Sequence, residues 1–331
     1  MAKLCPMASD SDTTETPEFP TGGNGGPPTS SPSVDGQTAA MASPAETPRE
    51  PVARRHVIVI YQAGEGELST IDYKLFQTVR DLLDGEVGDS PQRLTEIDVW
   101  LDSGGGKASA AYKIALLLRS RAAKLRVVIP DYAKSAATLL ALAADEIYMG
   151  AAAELGPLDA QIGYEKAGMT ISALDVARSL EDLAEKGISM ALSGGAAVLE
   201  TTQLSRAESL GTMVEFATRF MAPVMDKLDP TIIHWSTSLL NESAAYARRL
   251  LRMRQGGDSS MSERLQRLPE DLVGLYPSHG FVISRDEARE LGLPVRDLEM
   301  YDYRGVMEDI FRSLDNDEVT QVRFVKLTTS R

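Results

Sequence analysis

Three short segments rich in β-branched apolar residues recur in the first half of the chain and constrain its fold more than any other feature. They read H-V-I-V-I-Y-Q at 56–62, E-I-D-V-W-L at 96–101 and L-R-V-V-I-P at 125–130. The first is a near-continuous apolar run, which is typical of a strand buried on both faces of a sheet, and the other two segments also have the pattern of strands. Because helical segments separate them, the pattern predicts right-handed βαβ units.

Apolar residues at helical spacing predict the elements between and after these strands. Ile71, Leu75 and Val79 lie on one face of a predicted helix over 69–84, for which Ser69 is the expected N-cap. Further helices are predicted over 108–121, from 135, and over 171–186, 199–228, 231–254 and 284–292, with strands over 146–150 and 321–327. The sequence therefore predicts an α/β fold, with a parallel sheet built from βαβ units and a mainly helical C-terminal part.

The composition changes sharply near residue 52, which predicts the domain organisation. Residues 1–52 hold nine of the 17 prolines, with many Ser, Thr, Gly and Glu residues and almost no large apolar ones. Such a segment cannot bury enough surface to offset its chain entropy, so it is predicted to be a disordered tail. Residues 53–331 are predicted to form one domain. In it, 53–165 form the α/β core with the active site, and 166–331 form a helical extension with closing elements.

Charge and cysteine content exclude several classes of function. The net charge of −14 argues against a nucleic-acid-binding protein, which needs a basic face. With one cysteine, Cys5, and three widely separated histidines, we expect no disulfide, no metal site and no cofactor. The N-terminus lacks an apolar segment of signal-peptide length, and the apolar run 136–144 is too short to span a bilayer. We therefore expect a soluble cytoplasmic protein without a membrane span.

The segment Y-A-K-S-A-A-T-L-L-A at 132–141 places Ser135 between a buried strand and a helix of small residues. A serine hydroxyl becomes an effective nucleophile only with a base and with donors that stabilise the developing oxyanion. The first residues of a helix have free N–H groups, so the amide of Ala136 is a candidate donor. The alternative for Ser135 is an ordinary N-cap.

A second segment, L-D-S-G-G-G at 101–106, ends the preceding predicted strand. Glycines at this position let the backbone turn with positive φ and direct N–H groups into a cleft. Ligands of parallel sheets bind at the carboxyl ends of the strands, where both this turn and Ser135 are expected to lie. The alternatives are a tight βα turn and a phosphate-binding loop. The sequence lacks G-x-x-x-x-G-K-[ST], and Lys107 is too close to the glycines for such a loop.

Three ordered motifs carry a resemblance to a known family. D-S-G-G-G-x-x-x-A, A-K-S-A-x-T-L-L-A-L-A-A-D-E-I and E-L-G-P-L-D-x-Q-I resemble the serine dehydrogenase proteinase family. Its members are similar to signal peptide peptidase A and, more distantly, to the Clp protease catalytic subunit, and share the Clp protease/crotonase fold. The resemblance covers roughly 56–300. It implies serine peptidase activity on peptide or protein substrates, and assembly into homo-oligomers in which the helices between 199 and 254 are expected to make contacts.

The resemblance also implies roles for individual residues. Ser135 matches the nucleophile, and the amides of Gly105 and Ala136 match the first and second oxyanion donors. Gly104 and Gly106, on either side, are expected to contact the substrate, which is expected to bind in an extended form beside the turn.

The general base is left open by the sequence. Clp-like peptidases have a histidine about 25 residues after the serine, where this chain has Asp159 and Gln161. His279 lies in Y-P-S-H-G-F-V-I, and an S-H-G element recurs in the resembling proteins. His279 is thus a candidate base or positioning group, and Asp159 is a candidate orienting group. A loop histidine and a turn-capping aspartate are the structural alternatives.

Lysine is the second possible type of base. Bacterial signal peptide peptidases use one, and Lys166 and Lys134 are candidates here. Lys134 adjoins Ser135, but neighbouring side chains on a strand-to-helix turn usually point apart. Lys186 is expected to end a surface helix before Gly187, where a helix-terminal cation is the simpler role. A lysine base must also be desolvated to stay neutral near pH 7.

Two other functions are compatible with the motifs. A crotonase-type acyl-CoA enzyme uses a similar oxyanion hole and needs no nucleophile. A catalytically silent assembly or recruitment protein is the other alternative. It is favoured by the missing histidine and by Ala137, where the resembling proteins usually have glycine.

Overall fold

The computed structural model describes residues 54–62, 68–87, 94–164, 169–254, 262–316 and 321–328. In chain order its strands are β1 (Arg54–Tyr61), β2 (Leu94–Asp102), β3 (Ala122–Ile129), β4 (Tyr132–Ala133), β5 (Glu146–Met149), β6 (Glu154–Leu155), β7 (Gln161–Tyr164), β8 (Met169–Ser172), β9 (Ile283–Ser284), β10 (Val295–Asp297) and β11 (Gln321–Thr328). Its helices are α1 (Tyr73–Val87), α2 (Ala108–Arg121), α3 (Ala136–Ala141), α4 (Ala173–Thr201), α5 (Arg206–Met225), α6 (Pro230–Arg254), α7 (Glu263–Gly274), α8 (Arg285–Glu290) and α9 (Arg304–Asn316). The predicted tail, 1–52, and Lys166 lie outside the described residues.

A six-stranded sheet forms the centre of the molecule, with the strand order β10-β5-β3-β2-β1-β11. Its neighbouring strands are parallel except for β11, which pairs antiparallel with β1. The predicted α/β fold with a parallel sheet is therefore confirmed. The two edge strands, β10 and β11, come from the last part of the chain, so this part completes the sheet as well as supplying helices.

The sheet is buried on both faces, which explains the continuous apolar runs of the sequence. Val57 and Val59 of β1 belong to an apolar cluster with Met307 of α9. Their neighbours Ile58 and Ile60 point to the other face and belong to a larger cluster with residues of α1, α2, α3, α6 and α7. A strand that packs against helices on both sides needs apolar residues at successive positions.

Smaller elements at the carboxyl end of the main sheet position the candidate site. Strand β4 pairs parallel with β6, and β6 pairs antiparallel with β9. An isolated bridge joins Ser103, which follows β2, to Ala133 of β4. Strands β7 and β8 form an antiparallel pair that leads into α4.

Two predicted helix boundaries were wrong. Asp72, not Ser69, caps α1, because its Oδ1 accepts hydrogen bonds from the N–H groups of Lys74 and Leu75 at 2.9 and 3.0 Å. The helix predicted to end near 186 continues to residue 201. The helix was expected to end before Gly187, but Gly187 lies inside α4. Gly194 and Gly195 also lie inside it and face α5, where a Cβ atom would meet atoms of Met213 and Leu210.

None of the helices in the described ranges is both long and apolar enough to cross a membrane.

Candidate active site

Ser135 has a backbone conformation that is unusual for a side-chain-bearing residue. Its φ of 50° and ψ of −117° make it the only non-glycine residue with positive φ in the described part of the chain. Holding such a conformation costs about 1–3 kcal/mol, and it persists only where the surroundings enforce it. Ser135 joins β4 to α3, and its hydroxyl makes no hydrogen bond within the described ranges. The N–H of Ala136 likewise has no acceptor there.

The glycine turn lies directly against Ser135. The N–H of Ser103 donates to the Tyr132 carbonyl at 3.1 Å, and the N–H of Lys134 donates to the Ser103 carbonyl at 2.9 Å. These two hydrogen bonds hold the residue that follows β2 beside β4. A Cβ atom on Gly105 would lie 2.9 Å from the Cβ of Ser135 and 2.6 Å from the Lys134 carbonyl oxygen. The serine and the turn therefore share one edge of the sheet and are in contact.

The peptide groups of the turn are held by several hydrogen bonds. Gly105 and Gly106 have φ values of 101° and 150°, which L side chains rarely adopt. The Gly105 N–H donates to Ser103 Oγ at 3.0 Å, whereas the sequence predicts it as an oxyanion donor. The Gly105 carbonyl accepts from Thr70 Oγ1 at 3.1 Å and from the Ile71 N–H at 2.8 Å. The N–H of Gly106 has no acceptor among the described residues.

A cavity of about 720 Å³ opens in front of Ser135 and the turn. Ser135, Ala136, His279 and residues 104–106 line it together. The opposite wall belongs to α6, a helix that was expected from the sequence to make oligomer contacts. Its lining residues are Trp235, Leu239, Glu242 and Ser243. Their spacing of four, three and one residues marks a single helix face, but nothing in the sequence shows that this face borders the site.

His279 lines this cavity, and the buried Asp159 lies near enough to His279 for their charges to interact. Asp159 is buried and accepts hydrogen bonds from the Leu174 N–H, at 3.2 Å, and from the Ser172 hydroxyl. Burial raises the pKa of the Asp159 carboxyl, and the charge of nearby His279 acts in the opposite direction. The Nδ1 atom of His279 is buried and has no hydrogen-bond partner among the residues that the structure describes. Gln161 also lines the cavity.

The lysines are placed differently. The Nζ of Lys134 is 2.7 Å from Glu154 Oε1 and donates to the Phe281 carbonyl at 3.3 Å. Its side chain passes over Gly156, so it points away from Ser135, as expected for neighbours on a turn. Lys186 lies within α4 and does not line the cavity. Lys107 does line the cavity. The sequence analysis mentioned this lysine only in arguing against a phosphate-binding loop.

The region that contains this site matches a known protein family. Residues 87–201 match the family model described as ClpP-like SDH-type serine proteinase. Two uncharacterised proteins of Methanocaldococcus jannaschii are similar over shorter stretches. MJ1495 is 47% identical over 77 residues, which are 23% of this chain and 26% of that protein. MJ0137 is 40% identical over 101 residues, which are 28% of this chain and 35% of that protein. The chain thus matches only about a quarter to a third of the length of these relatives.

Two solved structures are similar at low sequence identity. A serine-to-alanine mutant of the 1510-N membrane-bound stomatin-specific protease has a TM-score of 0.38 and 15% identity, over 68% of this chain and 74% of that one. A lysine-to-alanine mutant of the same protease, in complex with a substrate peptide, has a TM-score of 0.27 and 20% identity, over 44% of this chain and 68% of that one. Both TM-scores are below 0.5. Residues 87–201, which include Ser135 and the glycine turn and make up about a third of the chain, are thus similar to the ClpP-like SDH-type serine proteinases.

Proposed function

We propose that this protein is a serine peptidase that cleaves peptide bonds through an acyl-enzyme on Ser135. The observation that carries this proposal is the strained conformation of Ser135 in contact with a glycine turn, at the edge of one cavity. The serine oxygen adds to the scissile carbonyl carbon while a base takes its proton. The tetrahedral intermediate then expels the amine, which receives that proton, and water hydrolyses the ester by the same two steps.

We propose the N–H groups of Gly106 and Ala136 as the oxyanion donors. Gly106 replaces Gly105 in this role because the Gly105 N–H is already bonded to Ser103 Oγ. Both proposed donors border the cavity and have no acceptor in the described part of the chain, so neither must give up a hydrogen bond there in order to receive the oxyanion. Donors that are oriented before the reaction stabilise charge with little reorganisation, which is the largest contribution in many acyl-transfer sites.

Among the candidate bases, the contacts favour His279, with Asp159 as its orienting carboxylate. His279 lines the cavity that contains Ser135, and its Nδ1 is buried and available for a hydrogen bond. Lys134 is a weaker candidate because its ammonium group is committed to Glu154 and to a backbone carbonyl. Lys134 is therefore proposed to fix strand β6, which carries Glu154.

Fluorophosphonate labelling tests the proposed function. We expect one adduct per chain, on the peptide that contains Ser135, in native protein and not in unfolded protein. Mass spectrometry after proteolytic digestion locates the adduct. A crotonase-type acyl-CoA enzyme has no activated serine and would not be labelled. An unlabelled native protein, or an adduct on another serine, would refute the proposal.

Replacing His279 with alanine tests the base. We expect kcat for a peptide substrate, and the rate of fluorophosphonate labelling, to fall about 10²- to 10⁴-fold, because a positioned general base contributes this much. The control is His234→Ala, since His234 lies on α6 outside the cavity lining. Thermal melting of both variants separates a catalytic effect from unfolding. A His279→Ala variant that is labelled as fast as wild type would show that another group takes the proton.

We also propose that the protein assembles with copies of itself. Helices α4 and α5 expose several large apolar side chains that other parts of the described chain leave uncovered: Ile188, Leu192, Val214, Phe216 and Phe220. Exposed apolar patches of this kind mark contact surfaces. Analytical ultracentrifugation measures the assembly directly, and a monomer at micromolar concentration would contradict it.

A further inference from the structure

We propose that Thr70 is a positioning residue for the oxyanion hole, and that it acts with Gln62 and Ser103 to fix the two peptide planes on either side of Gly105. This inference rests on the proposed serine peptidase function and adds three residues from outside the family motifs' catalytic positions. None of the three needs to touch the substrate for this role. We call these three side chains the Gly105 clamp.

Two donors hold the carbonyl group of the peptide between Gly105 and Gly106. Thr70 Oγ1 and the Ile71 N–H both donate to the Gly105 carbonyl, at 3.1 and 2.8 Å. In a trans peptide the C=O and the following N–H point in opposite directions. Two donors that hold the Gly105 oxygen therefore aim the Gly106 N–H away from the Thr70–Ile71 backbone. This N–H is one of the two proposed oxyanion donors.

The amide side of Gly105 is held by a buried chain of hydrogen bonds. The Gly105 N–H donates to Ser103 Oγ at 3.0 Å, and the Ser103 hydroxyl donates to Gln62 Oε1. Gln62 Nε2 in turn donates to the Leu68 carbonyl at 2.5 Å. Gln62 and Ser103 are 4% and 0% exposed, so these polar groups lack water as an alternative partner. Both peptide groups of Gly105 are thus fixed from outside the turn.

A clamp is needed because the turn is made of glycines. Three successive glycines have the largest conformational freedom of any tripeptide, and a rotation of the peptide plane would remove the N–H from the oxyanion. The isolated bridge between Ile71 and Gly106 adds to the restraint, and the Lys107 N–H donates to the Ile71 carbonyl at 2.7 Å. The segment just before α1 therefore acts as the support on which the turn is oriented.

The test is a Thr70→Val variant, which keeps the side-chain shape and removes the hydroxyl. We expect kcat and the fluorophosphonate labelling rate to fall about 10-fold with KM unchanged, since a misaligned donor acts on the transition state. Thr70→Ser restores the donor and is expected to return the rate to within about threefold of wild type. Thr78→Val is the matched control, because the Thr78 hydroxyl also donates to a backbone carbonyl at 3.1 Å, on the helix α1.

The possible outcomes separate this inference from the proposed function. If wild-type protein is not labelled at Ser135, the proposed function fails, and the clamp fails with it. If wild type is labelled and Thr70→Val is labelled equally fast, only the clamp is overturned. The clamp is also overturned if Thr70→Ser is labelled as slowly as Thr70→Val, because the hydroxyl would then not be what matters. It is likewise overturned if Thr70→Val melts earlier than wild type but is labelled at the same rate, because the effect would then be one of packing.

Discussion

A Ser135→Ala variant is expected to lose all fluorophosphonate labelling and to hydrolyse peptides at least about 10³-fold more slowly than wild type. The loss follows because the hydroxyl is the atom that forms the acyl-enzyme, and no neighbouring serine has its geometry. Ser109 lines the same cavity but lies in the first turn of α2, so Ser109→Ala is the matched control and should keep its activity. Initial rates with a fluorogenic peptide, together with intact-mass measurements, give both results.

The same position allows a test of the strain. Alanine at φ 50° is as strained as serine, whereas glycine adopts this conformation without steric cost. We therefore expect Ser135→Gly to be more stable than Ser135→Ala by about 1 kcal/mol, or about 2 °C in melting temperature, although both are inactive. Equal melting temperatures would show that the backbone at Ser135 is relaxed in solution. Hydrolysis at the wild-type rate by either variant would show that Ser135 is not the nucleophile.

A Gly105→Ala variant is expected to lose activity by more than about 10²-fold and stability by about 1–3 kcal/mol. The added methyl group would lie 2.6 Å from the Lys134 carbonyl oxygen and 2.9 Å from Ser135 Cβ. Both are parts of the strand-to-helix junction that cannot move without displacing the nucleophile. The φ of 101° at Gly105 is itself unfavourable for alanine.

Gly104→Ala is the control for this substitution. A Cβ atom on Gly104 meets no atom within 4 Å, and its φ is not in the positive range. The control is therefore expected to melt within about 2 °C of wild type and to lose less of its kcat than Gly105→Ala does. Denaturant unfolding and steady-state kinetics of the two variants are compared directly. If Gly105→Ala and Gly104→Ala behave alike, the turn does not contact Ser135 as closely as described.

Local patterns in the sequence were enough to predict the core of the fold. The segments 56–62 and 96–101 correspond to β1 and β2, because strands buried on both faces are apolar at most positions. The positions of the glycine turn and of Ser135 followed from chain direction alone, since both come directly after parallel strands. These features depend on neighbours in sequence, which is why they can be read without coordinates.

Features set by distant contacts could not be predicted in this way. The glycines of α4 look like helix ends, and only the packing of Gly194 against α5 shows why the helix continues. Asp159 and His279 are 120 residues apart in the chain, so no spacing rule brings them together. The wall formed by α6 likewise depends on how that helix crosses the sheet edge. The acceptor of the Gly105 N–H depends on a serine rotamer, which a sequence does not specify.

The origin of the two outer strands of the main sheet has a consequence for how the protein is made. Strands β10 and β11 begin at Val295 and Gln321, while the four strands that they flank are complete by Met149. During synthesis the inner strands therefore leave the ribosome long before their flanking partners exist. During that interval the outer edges of β5 and β1 keep unpaired N–H and C=O groups, and Trp100 lacks its packing against α9. Unpaired strand edges of this kind are prone to associate with other chains, so we expect the nascent chain to be prone to aggregation until β10 and β11 are translated.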